Sequence, residues 1–218
     1  MAISRRALLQ AVLASAAAPL FAGGVVLAAP AGRPFKLVML GDSLIEGYGL
    51  KPSQAVPAQL QAALAARGVP IDIINAGVSG ETSADVLARL DGAVPADANG
   101  VIIAVGANDM LQLLPPEDLE ANLRAMLDRL RSLGVMTALA GMRLPWFLSG
   151  PYQQAFDAVF PAVARAYKAP LYPYLLSGVF LQPELNLEDG IHPNAAGAKV
   201  IAQKLAPFTM SAFGLRAG

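Results

Sequence analysis

The chain contains no cysteine. That excludes disulfides, thiol nucleophiles, iron–sulfur clusters and thiolate-bound zinc. It also excludes a lipid-modified N-terminal cysteine as a membrane anchor. Excess charge is missing as well: 16 basic side chains balance 16 acidic ones. A nucleic-acid partner is therefore not expected, because displacing phosphate counterions takes clustered lysine and arginine. There are no internal repeats, no low-complexity linker and no second block of composition. Histidine is nearly absent, with His192 alone in 218 residues. One histidine without cysteine makes a poor metal site. The same histidine, three residues after Asp189 and directly before Pro193 in "LEDGIHPN", is well placed to carry a proton.

Residues 1–31 read as an address rather than as fold. Arg5 and Arg6 precede an uncharged, Ala-rich stretch that closes on Ala29-Pro30-Ala31. A charged start, an apolar middle and a small-x-small exit are the layout of an export signal, and the paired arginines suggest the twin-arginine type. The rival is an uncleaved anchor. The stretch is long enough to span a bilayer, but Ala and Gly are weakly hydrophobic. Removing residues 1–31 takes away two arginines, so residues 32–218 carry a net charge of −2. Their length suits a single domain with a full core.

Within that domain, apolar runs alternate with helix-like stretches. The runs are Phe35–Gly41, Ile71–Gly77, Gly100–Gly106, Val135–Gly141 and a weaker Ala169–Tyr174. The helix-like stretches are Ser53–Arg67, Thr82–Leu90, Glu117–Leu133, Tyr152–Tyr167 and Asn194–Leu205. Leu119, Leu123, Met126, Leu127, Leu130 and Leu133 repeat at three or four, the stripe of an amphipathic helix. Near-continuous apolar strands between helices predict an α/β fold, a parallel sheet covered on both faces. Ligands of such sheets bind beyond the carboxyl ends of the strands. Those ends carry Asp42-Ser43, Ser79-Gly80-Glu81-Thr82, Ala107-Asn108-Asp109 and Met142-Arg143, and "DGIHP" precedes the last helix.

Ser43 in "GDSL" follows the first strand directly. It either caps a helix or is exposed at the rim as a nucleophile. A serine hydroxyl needs a base at neutral pH, and imidazole suits that task. An acceptor must fix the ring's tautomer. Asp189 fits, while the neighbouring Glu188 would point elsewhere. The oxyanion that forms on attack needs donors, each worth about 3 kcal/mol. Gly80 and Asn108 stand at suitable strand ends, although each alone could be an ordinary turn residue.

"GDSL", "NAGVSGETS", "GAND" and "DGIHP", in this order, resemble the four signature blocks of the SGNH (GDSL) hydrolase family. The likeness spans Phe35 to about Leu205. "RLP" (Arg143–Pro145) and "PLYPYLLSGVF" resemble its bacterial periplasmic branch of thioesterases, arylesterases and lysophospholipases. The resemblance implies a flavodoxin-like three-layer αβα sandwich with strand order 2-1-3-4-5. It implies Ser43 as nucleophile, His192 as base and Asp189 as orienter. Its oxyanion donors are the Ser43 N–H, the Gly80 N–H and the Asn108 side chain. Asp42 and Asp109 become supports of the loops. Glu81, Gly77 and Ala107 depart from the usual pattern without touching a proton-transfer role.

Two apolar rim segments, Met110–Pro116 and Met142–Tyr152, offer Met110, Leu144 and Trp146 as walls of a groove for an acyl chain or aryl ring. Ordinary core packing is the alternative. The expected activity is hydrolysis of short to medium acyl esters, with aryl esters, acyl thioesters and lysophospholipids as candidates. The partner is then a small ester or thioester, with no cofactor, no metal and no stable membrane partner. The chain is expected to be a monomer or weak oligomer, exported to the periplasm. Rivals are a carbohydrate O-deacetylase on the same fold and a non-catalytic flavodoxin-like binding module.

Overall fold

The structure, a computed structural model, describes residues 34–143, 145 and 150–218. The expected export signal, Leu144 and Trp146 therefore lie outside the described residues. Five parallel strands form one sheet in the order β2-β1-β3-β4-β5. They are β1 (Phe35–Gly41), β2 (Ile71–Gly77), β3 (Gly100–Ala104), β4 (Met136–Ala140) and β5 (Leu171–Tyr172). The helices are α1 (Ser43–Glu46), α2 (Val56–Ala65), α3 (Ser83–Ala88), α4 (Leu90–Ala93), α5 (Ala107–Leu111), α6 (Pro116–Ser132), α7 (Pro151–Tyr167) and α8 (Ala195–Ala212).

The sheet is central because its inner strands have no polar face to offer water. All five residues of β3 are buried, as are Leu37 to Leu40 of β1. The chain steps from β1 to β2 in one direction and then from β2 past β1 to β3 in the other. Right-handed crossovers in opposite directions put their helices on opposite faces. Accordingly α2 packs with α8, while α6 packs with α3 and α7. The reversal leaves a crevice at the carboxyl ends of β1 and β3, where open α/β sheets bind their ligands. Among the described residues, no helix is long and apolar enough to cross a membrane.

Element ends depart from the sequence expectations for local reasons. β3 stops at Ala104 because Gly106, at φ +107°, already leads into α5. β5 shrinks to two residues between Pro170 and Pro173, neither of which can donate to a ladder. The expected first helix splits into a 3₁₀ turn (Pro52–Gln54) and α2, because Ala55 between them is extended. On α6, Leu119, Leu123, Met126, Leu127 and Leu130 are buried as their spacing predicts. Leu133 lies past the helix end and is exposed. α8 runs beyond Leu205 despite Pro207, since Ala206, Thr209 and Phe213 still face the core. The buried Thr209 hydroxyl donates to the Leu205 carbonyl at 2.9 Å.

Candidate active site

Asp42 starts α1: its Oδ1 accepts from the Leu44 N–H at 3.0 Å. The capping role is thus Asp42's, and Ser43 is the first helical residue, on a helix of one turn. That turn is short because Gly47 enters the left-handed region at its end. Ser43 is nearly buried, and its Oγ lies 2.9 Å from His192 Nε2. His192 Nδ1 lies 2.6 Å from Asp189 Oδ2. Asp189, not Glu188, faces the ring. Its other oxygen, Oδ1, accepts from the N–H groups of Ile191 at 2.8 Å and His192 at 2.9 Å. Partial burial pushes the Asp189 carboxyl up, but the His192 ring and these two N–H groups outweigh it and leave the pKa lowered. Asp189 is held as an ionised acceptor that fixes the imidazole in one orientation.

The loop bearing His192 is anchored at both ends. The Leu187 N–H donates to the His192 carbonyl at 2.8 Å, and Asn194 caps α8 by accepting from the N–H groups of Ala196 and Gly197. Pro193 forms a bridge with Asn186, immediately before that cap. Hydroxyl, ring and carboxylate, 149 residues apart in sequence at their widest, thus form a continuous relay. Such a relay can take a proton from the hydroxyl as it attacks a carbonyl carbon.

Gly80, in the turn after β2, and Asn108, in the first turn of α5, follow neighbouring strands at the same rim. The N–H groups of Ser43 and Gly80 take no part in the backbone hydrogen bonds of their turns. Asn108 is oriented by a 2.8 Å bond from its Nδ2 to the Glu81 carbonyl, which ties the third block to the second. Asp109 is buried and accepts from the Ser83 N–H at 2.8 Å and the Ser83 hydroxyl at 2.5 Å. Asn122 of α6 donates to the same hydroxyl. Asp42 is fully buried, and its Oδ2 has no hydrogen-bond partner. Burial is the main cause that pushes its pKa up to about 6; the negative Asp109 adds to it, while the Leu44 N–H, the nearby His192 and the Ala107 N–H oppose it.

Beside the relay lies an apolar cavity of about 450 Å³, lined by Leu44, Met110, Met142, Phe180 and Ile191 among others. Leu44 follows Ser43 in the chain and Ile191 precedes His192, so the cavity abuts that pair. Met110 stands in its wall. Leu113 and Leu181 also line it, both exposed and both at positive φ (54° and 57°). Among the described residues, no cluster of His, Cys, Asp or Glu is arranged to hold a metal ion.

Two contributors escape sequence reasoning. Arg89 Nε donates to Glu81 at 2.6 Å, and its NH2 group donates to the carbonyls of Gly41 and Ala76, clamping the ends of β1 and β2. Nothing in the spacing of "VLARL" announces this. Tyr48 places its ring 4.6 Å from the His192 ring, centroid to centroid. Its flanking glycines in "GYG" are the one available signal.

Known proteins resemble the chain over most of its length. Residues 39–200 match the GDSL-like lipase/acylhydrolase family. The chain is 33% identical over 183 residues to "Thioesterase 1/protease 1/lysophospholipase L1" of Escherichia coli strain K12, covering 84% of this chain and 86% of that protein. It is 36% identical over 172 residues to "Esterase TesA" of Pseudomonas aeruginosa, covering 78% and 86%. A crystal structure of TesA superimposes with a TM-score of 0.76 at 35% identity, covering 81% of this chain and 98% of the other.

Proposed function

The chain belongs to the GDSL-like lipase/acylhydrolase family and is a serine esterase of that family, and from this premise we propose how its own residues carry the reaction and on what class of acyl group. Ser43 Oγ attacks the ester carbonyl as His192 Nε2 takes its proton. Asp189 holds the ring and stabilises the imidazolium that forms. The Ser43 N–H, the Gly80 N–H and the Asn108 amide receive the oxyanion. His192 then returns the proton to the departing alcohol or thiol. Water, activated by the same ring, releases the acid from Ser43. No step calls for a metal or an organic cofactor.

The apolar cavity next to Leu44 and Ile191 supports an acyl chain of short to medium length as the group transferred. A carbohydrate acetate would leave most of that apolar wall unused. The segments at residues 1–31 support export to the periplasm through the twin-arginine route. Replacing Arg5 and Arg6 by lysine is expected to retain the precursor inside the cell; normal export would refute that route.

The observation that carries the mechanism is the relay of 2.9 Å and 2.6 Å through His192. Turnover of a p-nitrophenyl ester ladder tests it. Rates should peak at an intermediate chain length and fall by at least about 10⁴-fold in Ser43→Ala, as for removal of a nucleophile in comparable relays. Hydrolysis that survives both Ser43→Ala and His192→Ala would overturn the assignment.

A further inference from the structure

A second hollow, separate from the apolar cavity, is lined by Tyr48, whose ring packs on that of His192. This cleft of about 640 Å³ is lined by Glu46, Tyr48, Leu50, Asn75 and Ser79, with backbone from the intervening glycines. Glu46 is the one charged side chain among its lining residues. It is exposed, and it makes no ion pair with lysine or arginine among the described residues. Its Oε2 is fixed by the Ser79 N–H at 2.9 Å and by the Ser79 hydroxyl. Its backbone carbonyl accepts from Asn75 Nδ2 at 3.0 Å. The carboxylate is held through Oε2, while its Oε1 makes no hydrogen bond among the described residues.

Tyr48 is 52% exposed, although it is a large aromatic residue with core available nearby. Its loop is built to present it. Gly47 (φ +91°) and Gly49 (φ +72°) flank it. A Cβ at Gly47 would lie 2.6 Å from the Ala55 Cβ, and one at Gly49 would lie 2.8 Å from Leu187 Cδ1. Positive φ favours glycine at both positions, and at Gly47 the rigid Ala55 also leaves no room for a side chain. The result is an exposed ring that touches the imidazole and lines the same cleft as Glu46.

Ester cleavage divides the substrate across the imidazole. The acyl group stays on Ser43, and the proton on His192 must reach the oxygen of the departing alcohol. If the acyl chain occupies the apolar cavity beside Leu44, the alcohol lies toward Tyr48. We propose that this cleft is the leaving-group site and that it favours alcohols bearing a cationic group, which the Glu46 carboxylate and the face of Tyr48 recognise together. The proposal rests on the esterase reading and adds the class of alcohol to it. Leaving groups that carry phosphate or sulfonate close to the ester oxygen are disfavoured by the same carboxylate. Exposed cation–π contacts and a single carboxylate about 5 Å away in water are each worth a few-fold. Together they give a preference of about 10-fold.

Three butyrate esters test this with the acyl group held constant: those of choline, of its neutral isostere 3,3-dimethylbutanol, and of 3-sulfopropanol. In the native enzyme kcat/KM is expected to be about 10-fold higher for the choline ester than for the neutral one, and lowest for the sulfonate. Glu46→Gln keeps an acceptor for Ser79 and should bring the choline-to-neutral ratio below about 3. Tyr48→Leu should lower it, while Tyr48→Phe should preserve it. Salt at 1 M, where screening acts over about 3 Å, should erode the Glu46 share alone. A native ratio near 1, or one unchanged in Glu46→Gln, overturns the proposal while leaving ester hydrolysis intact. Failure to hydrolyse any of the three would sink the esterase mechanism instead. In that case NMR line broadening of choline against 3,3-dimethylbutanol by the native protein still decides the cleft: equal broadening refutes it, and selective broadening of choline supports it.

Discussion

Replacing Asp42 by asparagine removes a charge from the most enclosed carboxyl of the site while keeping its shape. The Oδ1 acceptor that caps α1 at Leu44 is retained. The atom that changes is Oδ2, which makes no close hydrogen bond among the described residues, with only the Ala107 N–H acting weakly on the carboxyl. Burial raises the Asp42 pKa from 3.8 to about 6, a rise of roughly two units. Each unit corresponds to about 1.4 kcal/mol, so ionising Asp42 in the folded state costs on the order of 3 kcal/mol. The sign follows from a folded pKa above the unfolded one. The stabilising contribution is complete below about pH 4 and is lost as pH rises through about 6. Native protein and Asp42→Asn should therefore have similar stability at pH 4. The variant should gain progressively between pH 4 and 6 and lead by up to about 3 kcal/mol at pH 8. Urea denaturation at pH 4, 5, 6 and 8 measures this directly. In a domain of this size the gap at pH 8 corresponds to a melting shift of roughly 6–12 °C. A stability difference that is flat in pH, or a variant that is weaker at pH 8, would refute the picture of a buried carboxyl ionised at a cost.

The proposed oxyanion donors predict a different signature. Asn108→Ala should lower kcat by about 10²–10³-fold with little change in KM, because the amide acts on the developing charge; a pure KM effect in steady-state kinetics would contradict this. Gly77→Ala should be disruptive. The added Cβ would lie 2.1 Å from the Glu46 backbone nitrogen, so α1 and Ser43 must move. A loss of about 1–3 kcal/mol by urea denaturation and reduced ester turnover are expected, and native behaviour in both would disprove that close approach. Arg89→Met leaves Glu81 and two strand-end carbonyls without their shared donor, and should lower both stability and kcat. Unchanged kinetics would show that the clamp does not position the rim.

The sheet could be read in the sequence because buried parallel strands must be apolar on both faces. Phe35–Gly41 and Ile71–Gly77 were legible to the residue. The short helices α1, α4 and α5 were not, since four or five residues carry no periodicity. Two terminal errors trace to proline. Pro170 and Pro173 shorten β5, whereas Pro207 is tolerated in α8 because its face is held by core contacts. Ser43, His192 and Asp189 stood out because the chain holds one histidine and a carboxylate three residues before it. Tyr48, Arg89 and Glu46 did not, because their partners lie on other elements and no spacing rule links them. Apolar loop residues suggested a groove, and Met110 lies in its wall. Glu81 and Gly77, two of the three departures from the usual blocks, are accommodated by Arg89 and by the backbone of Glu46.

One measurement bears most directly on the relay of Ser43, His192 and Asp189. The native protein and its His192→Ala variant are treated with a fluorophosphonate, digested, and mapped by mass spectrometry. The relay predicts a single stoichiometric adduct on Ser43 in the native protein, formed orders of magnitude more slowly in His192→Ala. A folded native protein with Ser43 unmodified, or an adduct formed equally fast without the imidazole, would contradict it.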